Sequence, residues 1–141
     1  CVDGYWSDLT RTAGVGRLGA AQARLLSAVK AAQRAAIAAA GPGVPHQDVD
    51  AAARRHLDGA GLGAGFPAGS GHHVGFSYHD RGPAVCAGSA EPLEPGMVIT
   101  VEPGVYGRQF GGGARVEDNL LVTADGVEVL SAPAGAGEEE A

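Results

Sequence analysis

The stretch that most constrains this chain is residues 19–40, rich in alanine, carrying Leu25, Leu26, Val29 and Ile37, and free of glycine and proline after Gly19. Alanine loses no side-chain entropy in a helix, so the run predicts one helix of more than about five turns. Gly41-Pro42-Gly43 stops it. A second helix is predicted over residues 46–59, where Val49, Ala52, Ala53 and Leu57 share a face. Beyond it the helical period ends. Residues 61–90 hold eight glycines and read as loop. Residues 97–102, 115–123 and 127–130 read as strands, the last two joined by the turn Ala124-Asp125-Gly126. Residues 2–12, with Tyr5, Trp6, Leu9 and Thr10, also favour a strand. Strand, two helices, then strands predicts an α+β fold.

The core must be made of small aliphatic side chains, because 45% of the 141 residues are hydrophobic but only 5% are aromatic. That length suits one domain, expected over residues 1–131. Residues 132–141 are mostly Ala, Gly and Glu and are expected to form a disordered acidic tail. The tail's Glu138, Glu139 and Glu140 carry half of the net charge of −6. No Lys/Arg cluster marks a nucleic-acid surface, and no apolar run reaches the roughly 18 residues of a membrane span. No signal peptide is visible, and Cys1 and Cys86 are the only cysteines. Two cysteines allow one disulfide, but free thiols in a cytoplasmic protein are the expectation. The chain opens on Cys1 and its single methionine is Met97, so a processed product or a piece of a longer reading frame is expected.

Four contexts carry chemistry. Asp8 sits in Ser7-Asp8-Leu9-Thr10-Arg11-Thr12, and His72 in Gly71-His72-His73-Val74-Gly75, with His79 further on. Glu102 sits in Thr100-Val101-Glu102-Pro103-Gly104-Val105-Tyr106, and Glu117 in Arg115-Val116-Glu117-Asp118-Asn119. A lone strand carboxylate is usually solvated. Here Met97, Ile99 and Val101 alternate with Val98, Thr100 and Glu102, so both faces are largely apolar and Glu102 is expected to be buried. Trp6, Asp8 and Thr10 alternate together, as do Arg115, Glu117 and Asn119. Three strands that each present a carboxylate among apolar neighbours are costly unless something offsets the desolvation. A metal cluster would do so, and carboxylates with one imidazole suit Mn²⁺, Co²⁺ or Zn²⁺.

Together these motifs resemble the signatures of the pita-bread metallopeptidases, which include methionine aminopeptidase, aminopeptidase P and prolidase. The further run Glu94-Pro95-Gly96-Met97 and the closing Leu121-Val122-Thr123 belong to the same pattern, which covers roughly residues 2–130. The short gap from Glu102 to Glu117 resembles the Xaa-Pro branch. The resemblance implies a pita-bread fold, here N-terminally truncated, with an antiparallel curved sheet and two helices. It implies two divalent ions in the parent, bridged by Asp8 and Glu117, with His72 and Glu102 completing one shell. Glu102 would also shuttle a proton from the attacking water. His79 would contact substrate and stabilise the tetrahedral intermediate, and Arg115 would orient a ligand carboxylate. A family aspartate upstream of Asp8 falls before Cys1, so one ion is expected to bind this chain better than two, with activity impaired. Short peptides are the expected substrates and a homodimer the expected parent. The competing expectations are a metal-dependent hydrolase or lyase of a small non-peptide substrate, and a non-catalytic binding module.

Bland expectations cover the rest. His46 and His56 are expected on helix surfaces, and His73 is expected to point away from His72 in a structural or pocket-lining role. Asp80 is expected either to fix the ring of His79 or to serve the loop turn. Asp118 is expected to face away from Glu117. Gly111-Gly112-Gly113 reads as a hairpin turn, and Cys86 lacks a sequence-coupled base.

Overall fold

The computed structural model describes residues 1–67 and 69–131, so the expected acidic tail lies outside the described residues. Helix α1 spans Ala20–Ala39 and helix α2 spans His46–Gly59. Gly19 has no side chain to cap with, so only the reciprocal arm of a capping box exists: its N–H donates to Gln22 Oε1 at 3.0 Å. At the other end Ala40 N–H donates to the carbonyls of Ala36 and Ile37 before Gly41 and Pro42 end the helix. Five short strands follow: β1 Val98–Val101, β2 Gly104–Gly107, β3 Gly112–Arg115, β4 Asp118–Val122 and β5 Val127–Val129. All pairings are antiparallel. One sheet has the order β1-β4-β5, and β2 and β3 form a separate hairpin. No helix among the described residues is long and apolar enough to cross a membrane.

The two helices pack on the sheet through Leu25, Val29, Ala32 and Ala36 of α1 and Val49, Ala53 and Leu57 of α2. Against them lie Ile99 and Val101 of β1 and Leu120 and Val122 of β4. Each buried Leu, Ile or Val contributes about 1.5–3 kcal/mol, and the alanines let the helices approach closely. Ile99, Thr100 and Val101 are all fully buried, so β1 is covered on both faces.

Two pieces of extended chain complete the sheet without forming full strands. Residues 70–74 run beside β1: Glu102 N–H donates to Ser70 C=O (2.7 Å), Thr100 N–H to His72 C=O (2.8 Å) and Val74 N–H to Val98 C=O (3.0 Å). Residues 2–12 make only the bridges Val2↔Tyr5 and Thr10↔Glu117, so the expected first strand is not continuous. Its alternation is real, but too few of its backbone groups meet a partner strand.

Other expectations need correction. The run 115–123 is broken in two, because Arg115 pairs with Gly104 in the hairpin while Asp118 pairs with Val101 in the sheet. Gly112 and Gly113 lie within β3. The turn is made by Arg108–Phe110 and by Gly111 at φ 83°. Gly113 serves packing, since a Cβ on it would lie 2.8 Å from the Tyr106 ring, while Gly111 and Gly112 hold positive φ (83° and 137°). His46 is not on the surface. It is fully buried at the start of α2, its Nδ1 2.7 Å from Glu91 C=O and its Nε2 3.1 Å from His73 Nε2. The partner that draws it inward is His73, remote in sequence. His56 is exposed as expected.

Asp118 ties the helical layer to the sheet. Its carboxylate accepts from Gln33 Nε2 on α1 (2.6 Å), Arg11 (2.6 Å) and Ser131 Oγ (2.7 Å). Burial works to raise its pKa, but these three hydrogen bonds outweigh it and hold the pKa below the ordinary aspartate value. A carboxyl depressed in the folded state stabilises the fold above its unfolded pKa, and that stability is lost as pH falls through the folded value. Asp118→Asn should therefore melt below wild type at neutral pH. The gap should close as pH drops below about 4, and a gap independent of pH would refute the assignment.

Candidate metal centre

Separate backbone segments deliver the side chains. Asp8 rides on the N-terminal segment, pinned by Trp6 N–H to Gly75 C=O (2.8 Å) on one side and by the Thr10–Glu117 bridge on the other. His72 projects from the extended piece beside β1, Glu102 follows the end of β1, and Glu117 occupies the break between β3 and β4. That break matters: it leaves Glu117 fully buried and bonded to Thr10, while Asp118 turns to the opposite side. His73 likewise turns away from His72 and meets α2 through His46.

His72 Nε2 lies 3.2 Å from Glu102 Oε1 and 3.7 Å from Asp8 Oδ2. Ligand atoms of His72, Glu102 and Glu117 fall within 4.8 Å of one another, and those of Asp8, His72 and His79 do the same. His72 is thus common to two adjoining groups. The exposed His79 ring stacks on that of His72 with centroids 3.7 Å apart, and meets Tyr78 edge-on. Of the two roles expected for Asp80, the loop turn is the one it fills: its oxygens accept from the N–H groups of Phe76 and Arg81. Arg115 lies 3.4 Å from Glu102 and 3.8 Å from Glu117. Both cysteines are free.

The electrostatics are those of crowded carboxylates. For His72, burial works to lower the pKa, but the Glu102 carboxylate, the His73 carbonyl and Asp8 prevail and raise it. For Glu102, burial works upward, but His72, Arg115 and Thr100 hold it below the ordinary glutamate value. Glu117 moves the other way. Burial raises it and Glu102 and Asp8 add to the rise, against the Thr10 hydrogen bond and Arg115.

A cation fits this set. His72 Nδ1 lies 3.0 Å from the His73 carbonyl, an acceptor, so Nδ1 carries a hydrogen and Nε2 is the ring nitrogen that would meet a cation in place of its proton. Among the described residues, that Nε2 and Glu117 Oε1 are buried atoms without a hydrogen-bond partner; the 3.2 Å contact of Nε2 with Glu102 is off hydrogen-bond geometry. Among the described residues, three carboxylates face one permanent cation, Arg115, leaving negative charge to be balanced. Divalent ions with oxygen and imidazole ligands meet both needs.

Two side chains escaped the sequence reading although both lie inside its motifs. Thr10 Oγ1 donates to Glu117 Oε2, and Thr100 Oγ1 lies 3.3 Å from Glu102 Oε1 while accepting from His72 N–H. Their alternation with Asp8 and Glu102 was the available signal, since it places them on the same face as the acids.

The profile of metallopeptidase family M24 matches residues 1–124. The chain belongs to family M24. It shares 40% identity over 130 residues with the putative dipeptidase YkvY of Bacillus subtilis, covering 92% of this chain and 35% of that protein. With the probable dipeptidase PepE of Mycobacterium tuberculosis it shares 44% over 133 residues, covering 92% and 34%. Prolidase from Pyrococcus furiosus superposes with a TM-score of 0.88 at 37% identity, over 93% of this chain and 38% of that one. Dipeptidase PepE from Mycobacterium ulcerans does so with 0.87 at 41%, over 94% and 35%. The chain therefore spans about a third of the length of these relatives, and the helices and antiparallel strands described above are a portion of the M24 pita-bread fold. Family M24 is dinuclear and metal-dependent.

Proposed function

We propose that this chain carries the metal-binding part of a peptidase that cleaves the Xaa-Pro bond at peptide N-termini. The observation that carries the reading is the pair of orphaned buried atoms, His72 Nε2 and Glu117 Oε1, in one acidic group. The likeness to prolidase at 37% identity supports the prolyl preference. Asp8 and Glu117 would bridge two divalent ions (Mn²⁺, Co²⁺ or Zn²⁺), with His72 and Glu102 completing one of the two shells. On that assignment the chain's own residues give four ligands to one ion and only the two bridging carboxylates to the other. One ion should bind this chain more tightly than two. A short peptide is the substrate and a homodimer the parent assembly.

Bound divalent ions would supply Lewis acidity and lower the pKa of water. The residues do the rest. Glu102, held ionised by His72, Arg115 and Thr100, accepts the proton of the attacking water and returns it to the leaving amine. His79, exposed beside His72, donates to the developing negative charge on the scissile carbonyl. Arg115 restrains Glu102 through the oxygen that His72 does not approach. A cleft of about 180 Å³ lined by Phe66, Pro67, Tyr106, Glu102 and Arg115 is large enough for one small side chain.

The test measures ion content and Xaa-Pro dipeptide hydrolysis together, on this chain and on a version extended upstream of Cys1. The expected result is one tightly held ion in this chain, two in the longer form, and turnover in the longer form. Ion uptake by both with no peptide turnover in either would favour a small non-peptide substrate or a binding module.

A further inference from the structure

We propose that Thr10 is a positioning residue of the metal centre: its hydroxyl, locked between Arg115 and Glu117, aims the Glu117 carboxylate so that one oxygen stays free for a cation. The proposal rests on the metallopeptidase reading above.

The direction of each hydrogen bond follows from the donor inventory. Arg115 Nε and one terminal guanidinium nitrogen lie 3.0 and 2.8 Å from Thr10 Oγ1. A guanidinium only donates, so Thr10 accepts both bonds with its two lone pairs. The hydroxyl's single hydrogen then has one destination, Glu117 Oε2, at 2.5 Å. Such a short contact to a carboxylate oxygen is charge-assisted. A carboxylate is planar, so fixing Oε2 fixes the direction of Oε1. Oε1 is the atom left buried and without a hydrogen-bond partner among the described residues.

The contact is built into the backbone. Glu117 N–H donates to Thr10 C=O at 3.0 Å. Thr12 Oγ1 donates to Arg115 C=O (2.9 Å) and accepts from Arg115 N–H (3.2 Å). These bonds set the two segments in register although they lie 103 residues or more apart in sequence. Thr10 also acts as a spacer. It draws the guanidinium onto a neutral oxygen and leaves it 3.8 Å from Glu117 Oε2. Without the hydroxyl, Arg115 is free to pair directly with the carboxylate and compete with a cation for it.

The test compares Thr10→Val, which keeps the shape and loses the hydroxyl, with Thr10→Ser, which keeps the hydroxyl. Mn²⁺ is titrated calorimetrically onto the full chain, and the visible spectrum of added Co²⁺ reports ligand geometry. Thr10→Val should weaken Mn²⁺ binding about 10–100-fold, the usual loss for a partner that orients a ligand, while Thr10→Ser should stay within about threefold of wild type. The Co²⁺ spectrum should change in Thr10→Val and not in Thr10→Ser. If Thr10→Val does not fold, Thr10→Ala removes the same hydroxyl without bulk and takes its place. Unchanged Mn²⁺ binding in the variant lacking the hydroxyl overturns the proposal, as does an equal loss in Thr10→Ser. Wild type that takes up no ion overturns the metal-centre reading and this proposal with it.

Discussion

Glu117→Gln should raise the melting temperature of the ion-free chain at neutral pH while weakening Mn²⁺ binding by more than about 100-fold, since partners that merely orient a ligand already cost about 10–100-fold. The two effects have one origin. Glu117 is fully buried and its pKa is raised, first by that burial and then by Glu102 and Asp8, against the Thr10 hydrogen bond. A carboxyl raised in the folded state stabilises the fold below its unfolded pKa, and that contribution is lost as pH rises through the folded value. At neutral pH the ion-free chain therefore bears a cost that glutamine lacks. The amide oxygen of the substituted side chain still accepts from Thr10, so the packing survives, but a cation loses an anionic ligand. Melting curves with and without Mn²⁺, run upward from the ordinary glutamate range near about pH 4.3, decide it. Equal destabilisation with and without the ion would mean that Glu117 is a structural acid.

Gly71→Ala should be the most damaging of the glycine-to-alanine changes among the described residues. A Cβ there would overlap the carbonyl oxygen of Thr100 and lie 2.8 Å from its carbonyl carbon. Both are backbone atoms of β1, so no side chain can rotate out of the way. Residues 70–74 must move off β1, breaking the bonds from Glu102 N–H to Ser70 and from Thr100 N–H to His72. Overpacking typically costs about 1–3 kcal/mol where neighbours can relax, and the upper end or beyond is expected here. Ion affinity should fall too, because His72 travels with the segment. Urea denaturation measures the first effect and ion titration the second. Gly126→Ala is the control, with nothing within 4 Å of its added Cβ. Parity between the two variants would show that β1 yields more readily than its burial implies.

The helices were legible because their signal is local. Alanine content and the Gly-Pro stop predict residues 19–40, and α1 is Ala20–Ala39. The acids and His72 were legible because desolvating them among apolar neighbours demands a reason, and the structure gathers them around His72. What stayed hidden depends on distant partners. Arg115 and Asp118 are close in sequence yet pair with different strands, so the run 115–123 could not announce its own break. His46 looks like a polar helix residue until His73 and Glu91 are placed beside it. The glycines of residues 111–113 look like a turn until Tyr106 covers one of them. Thr10 and Thr100 had the right spacing, but a hydroxyl carries no charge to mark it, and its role appears only with the geometry of Arg115, Glu117 and Glu102.

The N-terminal segment reaches Glu117 across a sequence separation of 107 residues and is held there by few backbone bonds. In kinetic terms this is a very long closure, and loop entropy places such contacts late. The helices and the β1-β4 pairing can form while Asp8 is still far from His72. A cation that needs both can then add little to the rate of folding. Its influence falls on the rate at which the finished molecule comes apart, because contacts absent from the folding barrier slow unfolding when they are strengthened. The centre would act as a latch closed last and opened first, and ion occupancy would govern how long the native chain persists.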